Sequence, residues 1–90
     1  MRLERRGEEL VITWLPVEQM GLLSLGAALG QEEKTVLEAL LRGERVILLR
    51  EGLEYRQFKK TAPLGIYQKF VSMERELREM GVIVARDRHR

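Results

Sequence analysis

Three short, unbroken apolar runs punctuate the chain: Leu10-Val-Ile-Thr-Trp-Leu15, Val46-Ile-Leu-Leu49 and Val82-Ile-Val-Ala85. Each is rich in β-branched residues and lacks the polar alternation of a half-exposed strand. Such runs predict strands covered on both faces, as in a parallel sheet. Pro16 closes the first. Helical spacing fills the gaps between them. Val17 to Leu29 carries Met20, Leu22, Leu23, Leu25, Ala27, Ala28 and Leu29, and predicts a helix that Gly21 and Gly26 weaken by up to about 1 kcal/mol each. Its apolar groups lie on most sides, so a neighbouring helix or a second subunit is expected to cover it. Gln31 to Arg42 predicts a stronger helix. Glu32 and Glu33 stand at its positive end, Arg42 at its negative end and Gly43 at its stop, with Val36, Leu37, Leu40 and Leu41 as the buried stripe. Leu64 to Met80 is the most regular, because Ile66, Phe70, Met73, Leu77 and Met80 step by four and three along one face, and Gly81 ends it.

The element order is therefore β-α-α-β-α-β. Strands alternating with helices predict a small two- or three-layer α/β domain around a three-stranded parallel sheet with right-handed crossovers. The 90 residues suffice for one domain, with residues 1–9 as a charged arm and residues 86–90 as a charged tail. Three strands make a thin sheet. Its edges and the Leu-rich first helix predict a homo-oligomer.

Composition narrows the classes. Without cysteine there is no disulfide and no thiolate metal site, which fits a reducing cytoplasm. Sixteen basic against fourteen acidic residues leave +2, and the excess sits at the two ends: Arg2, Arg5 and Arg6, then Arg86, Arg88 and Arg90. A nucleic-acid binder ordinarily shows a denser basic face with aromatics, so these ends alone argue weakly for one. From Leu10 to Gly30 the only formal charge is Glu18, but Pro16, Gln19, Gly21, Ser24, Gly26 and Gly30 break the stretch. It is not a membrane span, and it has no signal-peptide pattern.

No phosphate-loop motif is present, neither G-x-x-x-x-G-K-[ST] nor G-x-G-x-x-G. His89, the only histidine, lies beside the terminus and has no metal-ligating or catalytic companions. No catalytic and no metal-binding set emerges. Trp14, within the first strand, reads as core. The segment after the second strand, Glu51 to Pro63, is polar and irregular, with a helical turn around Tyr55 to Lys59. Open α/β sheets bind ligands at the carboxyl ends of their strands. In that position Arg56 and Lys59 suit an anion, Tyr55 suits a ring, and Glu51 or Glu54 suit hydrogen-bond donors. The alternative is a solvated loop whose charges pair with one another.

Thr13-Trp-Leu-Pro16, the small-residue stretch Leu25-Gly-Ala-Ala28 and Ala39-Leu-Leu-Arg-Gly-Glu-Arg-Val46, in this order, resemble the later half of the flavoprotein family that includes the FMN-containing cysteine decarboxylases and a dipicolinate synthase component. Glu76-Leu-Arg-Glu-Met-Gly-Val-Ile-Val84 resembles the family's last helix and strand. Glu51-Gly-Leu-Glu-Tyr-Arg56, with Ala62-Pro63, is similar to flavoprotein-like proteins of ethanolamine-utilisation operons and their microcompartments. Met20-Gly21 stands where the family carries Asn-Thr, and the family's phosphate-holding strand and loop would precede Met1. The resemblance thus implies a shortened relative, half of a flavodoxin-like fold. It implies a non-catalytic accessory or assembly protein of a cytoplasmic catabolic pathway such as ethanolamine utilisation. Two other readings stay open: an FMN- or nucleotide-binding fragment with its ligand near Glu51 to Lys59, and a small basic nucleic-acid-binding protein.

Overall fold

In the computed structural model, which describes residues 1–87, the charged start of the chain is a strand and not an arm. β1 (Arg2–Arg6) turns at Gly7-Glu8 and pairs antiparallel with β2 (Glu9–Trp14), placing Leu3 opposite Ile12. An edge strand pointing only Leu3 inward and charges elsewhere has too few apolar positions to show a period of two. That is why its sequence reads as polar coil. β2 pairs parallel with β3 (Val46–Leu49), and β3 parallel with β4 (Ile83–Ala85), in spatial order β1-β2-β3-β4. The expected three-stranded parallel sheet is corrected to a four-stranded mixed one. The coarse α/β class stands.

Three helices connect the parallel strands: α1 (Val17–Ser24), α2 (Gln31–Leu41) and α3 (Leu64–Glu79). The chain steps from β2 to β3 to β4 in one direction, and right-handed crossovers stepping one way lay their helices on the same face. That face carries Leu10, Ile12, Val46 and Leu48. With Met20, Leu23, Val36, Ala39 and Leu77 from the helices they form one buried cluster. Two corrections follow from where each helix turns. On α2 the inward positions are Val36 and Ala39, with Glu33, and Leu41 is 86% exposed. On α3 they are Glu74 and Leu77, with Tyr67, Phe70 and Met73 packed at the margin, and Ile66 is 51% exposed. Trp14 is half-buried at the end of β2 and lies outside the core cluster, where Leu15 is fully buried instead.

The first helix is shorter than expected because Gly26 ends it. Gly26 sits at φ 69°, its N–H bonds to the Leu23 carbonyl, and that of Ala27 bonds to Leu22, satisfying two orphan carbonyls. The helices α2 and α3 end on the same pattern at Gly43 and Gly81. α2 begins at Gly30, which has no side chain to cap it. Glu33 reaches back instead, accepting the N–H groups of Gly30 at 2.8 Å and Leu29 at 3.0 Å, while the Gln19 amide of α1 donates to its other oxygen. The Gln19 hydrogen bond, then those two backbone N–H groups, hold the Glu33 carboxyl below its usual range.

Among the described residues no helix covers the opposite face of the sheet, yet Val11 is 2% and Leu49 6% exposed. Their cover is polar. Arg6 of β1 meets Asp87 at 3.0 Å, and the Asp87 N–H donates to Glu51 at 3.1 Å, which draws the chain after β4 over this face. Among the described residues, no helix is long and apolar enough to cross a membrane.

Candidate functional site

The carboxyl ends of the parallel strands are where a ligand is expected, and the segment after β3 lies there. It is not an irregular loop. Two 3-10 turns, Arg50–Gly52 and Glu54–Phe58, follow one another with Leu53 between them. The segment is sewn to the end of β2: the Leu15 N–H donates to the Gly52 carbonyl at 2.7 Å, and the Glu54 N–H to the Leu15 carbonyl at 3.2 Å.

The five residues expected to form a site diverge. Glu51 accepts the Asp87 N–H. Glu54 accepts the Val17 N–H at 2.9 Å and so caps α1, where Pro16 has no side chain to do it. Tyr55 turns inward, donating its hydroxyl to Glu74 Oε1 at 2.6 Å, with its ring 5.8 Å from that of Phe70 and 5.3 Å from that of Tyr67. The Arg56 guanidinium donates to both Glu74 oxygens at 3.1 Å. Lys59 is exposed. A shallow hollow beside this segment brings Glu51 and Arg56 together with Arg50, Gln57, Arg86 and Asp87, but excludes Glu54, Tyr55 and Lys59.

Glu74 organises the region, and no sequence pattern marks it. It is 5% exposed and gathers Tyr55, Arg56 and Arg78, the last at 3.0 Å. The cluster ties α3 to the 3-10 segment, which is a structural use of residues otherwise suited to a ligand. Burial first, then the hydrogen bond to Glu74, pushes the Tyr55 hydroxyl above its ordinary value. A raised value in the folded state means that the stabilisation is complete below the unfolded-state value near 10 and is lost as pH rises beyond it. Urea-unfolding free energy is therefore expected to fall above about pH 10, and Tyr55→Phe to remove that part of the fall. Identical profiles for the two proteins would show that Tyr55 is not held in this way.

The start of α1 is poorly suited to an FMN phosphate. In sheets of this kind phosphate is bound by the first N–H groups of the helix after a strand. Here the Val17 N–H is already taken by the Glu54 carboxylate, so a phosphate would meet a negative charge, and Pro16 offers no donor. At the opposite edge Arg5, Arg6, Arg42 and Arg45 cluster, but each is ion-paired: Arg5 and Arg42 to Glu44, Arg6 to Asp87 and Arg45 to Glu9. Among the described residues no group of three or more His, Asp or Glu is placed to hold a metal. His89 lies outside the described residues.

A second hollow, not foreseen from sequence, is apolar. Val17, Tyr55, Phe58, Ile66, Tyr67 and Phe70 line a groove of about 190 Å³ between the start of α1, the second 3-10 turn and α3. Its sequence signal is the spacing Ile66-Tyr67-x-x-Phe70, which by periodicity alone reads as a buried stripe. No protein-family model, no curated protein and no solved structure matches this chain.

Proposed function

We propose that this chain is a non-catalytic assembly module that works by self-association. The observation that carries the reading is the placement of its exposed apolar side chains. A single exposed leucine needs no explanation in any protein. Here Leu25 is 82% and Leu29 87% exposed on one short connection between α1 and α2, and Phe58 and Ile66 are exposed around one groove. Clustered apolar exposure of this kind marks interaction surfaces. Four of the five residues that could have formed a ligand site, Glu51, Glu54, Tyr55 and Arg56, are engaged in holding the fold together, which supports the non-catalytic part of the reading. The narrower setting, an accessory protein of a cytoplasmic catabolic system such as ethanolamine utilisation, rests on the sequence resemblance.

Size-exclusion chromatography with light scattering tests the reading. The expected mass at roughly 10 μM protein is a defined multiple of the 10.5 kDa chain. A sharp monomer peak at that concentration ends it.

A further inference from the structure

Four of the chain's five aromatic residues meet at one place. Tyr55, Phe58, Tyr67 and Phe70 all line the apolar groove beside α3, and only Trp14 does not. Three of the four lysines flank the residues that line it. Lys59 and Lys60 sit on the turn between the groove residues Phe58 and Ala62, closed by the Ala62 N–H donating to the Phe58 carbonyl at 2.9 Å. Lys69 precedes Phe70 and follows Ile66 by three residues, which makes it a neighbour of Ile66 on the surface of α3. We infer that this groove binds single-stranded nucleic acid, seating one base against the aromatic side chains and laying the adjoining phosphates on the three lysines. The inference goes beyond the self-association reading and does not depend on it.

The charge left over after internal pairing suits a polyanion. Arg56 is taken by Glu74, but among the described residues no ion pair uses a lysine. Lys59, Lys60 and Lys69 are all exposed. Between Glu54 and Glu74 the sequence holds no acidic residue, although 33% of the chain is charged. Across the groove stand Glu18, next to Val17, and Glu54, which accepts the Val17 N–H. Negative charge thus lies at the Val17 end, and unpaired positive charge lies beside Phe58, Ile66 and Phe70. The arginine cluster at the other end of the sheet differs, because each of its cations already has a carboxylate. An unpaired cation that meets a phosphate releases a condensed counterion, the main source of affinity for a nucleic-acid backbone.

The groove itself selects a strand among polyanions. Every base has a π-face, and aromatic side chains beside a basic track hold single strands by stacking. Phe58, 45% exposed, is the accessible platform, with Tyr67 and Phe70 half-buried behind it. An apolar cavity of about 150 Å³ holds a benzene molecule, so a groove of about 190 Å³ takes one six-membered base ring and not a base pair. The Tyr55 hydroxyl is turned away to Glu74, and the lining presents no polar atom that could read a base edge. Binding is therefore expected to tolerate sequence and to favour single strand over duplex.

Fluorescence anisotropy of a labelled oligothymidylate of about twelve nucleotides, within the site sizes of such grooves, tests the site on the full chain. Three phosphates at about 0.7 each give an expected log–log salt slope of about −2. Replacing both Lys59→Gln and Lys60→Gln should reduce the slope to about −0.7 and weaken binding about tenfold or more at low salt. Phe58→Leu keeps the apolar bulk and loses the ring, so it should weaken binding about tenfold and leave the slope unchanged. Arg42→Gln, in the paired cluster, should change neither. Circular dichroism checks that each variant folds. Should Phe58→Leu unfold, Lys69→Gln takes its place, with a slope reduced by about 0.7. Any of four results overturns the site: no saturable binding at about 50 mM salt, equal binding of the corresponding duplex, a lysine or Phe58 variant that binds like the wild type, or an equal loss in Arg42→Gln. Displacement of the strand by polyglutamate or by phosphatidylserine vesicles at matched charge also overturns it, and assigns the lysines to an acidic protein or a membrane instead.

Discussion

Gly52→Ala is expected to cost the domain about 3 kcal/mol or more, at the upper end of what overpacking does. A Cβ placed on Gly52 would lie 2.2 Å from the Thr13 carbonyl oxygen, 2.7 Å from its carbon and 3.2 Å from Trp14 Cα. All three atoms are backbone, so no side-chain rotation can relieve the contact. The backbone that must move is the end of β2, which also pairs with Leu53 through Leu15. A 90-residue domain has a total stability of only about 5–10 kcal/mol, so this loss reaches a third or more of it. Gly21→Ala is the control. It lies inside α1 with open space around it, and should stabilise by up to about 1 kcal/mol through helix propensity. Urea denaturation of the two variants beside the wild type checks both signs. A Gly52→Ala protein as stable as the wild type would mean that the 3-10 segment is not pressed against β2.

That close approach is invisible in the sequence, and the reason is general. Glu51-Gly-Leu-Glu-Tyr-Arg56 has the composition of a solvated loop, because Gly52 serves a contact made by a strand almost forty residues earlier. Local patterns are legible where burial is continuous: the runs at Leu10, Val46 and Val82 are strands or lead into one, and the Gly43 and Gly81 stops end their helices. Legibility fails where only one residue in two or three points inward. β1 offers the core one partly buried apolar residue, Leu3, among charges, and α1 reads as a thirteen-residue helix until Gly26 is recognised as its terminator.

The candidate site is hard to read for a related reason. Arg56, Tyr55 and Glu54 are chemically suited to a ligand, and their place after the second parallel strand puts them at the carboxyl edge of the sheet. Their partners are what the sequence hides. Glu74 lies among Met73, Arg75 and Glu76, looking like one more charge on an exposed helix face, and only the fold turns it toward Tyr55. The charged helix face and the loop cancel one another. Apolar residues carry the opposite error: Leu41 and Ile66 fall on predicted buried stripes because nothing in a helical period shows how wide the covered arc is.

Glu74→Ala is the second substitution with a large expected effect, about 2–4 kcal/mol destabilising. Its side chain is 7% exposed, while those of Arg56 and Arg78 are 39% and 49% exposed. The partners therefore respond differently to its loss. The two guanidinium groups can turn to water, and each forfeits what a partly exposed ion pair is worth, about 1 kcal/mol or less. The Tyr55 hydroxyl cannot turn, because its ring is packed against Tyr67 and Phe70, and a buried donor without a partner costs about 1–3 kcal/mol. Glu74→Gln keeps an acceptor for that hydroxyl and gives up the charge, so it should cost about half as much as Glu74→Ala. The decisive measurement is a double-mutant cycle with Tyr55→Phe. Removing the hydroxyl should be destabilising in the wild type and close to neutral once Glu74 is alanine, a coupling of about 1 kcal/mol or more for groups in direct contact. Additive costs would mean that Tyr55 and Glu74 do not act on one another. The link between the 3-10 segment and α3, which shapes one wall of the apolar groove, would then have to lie elsewhere.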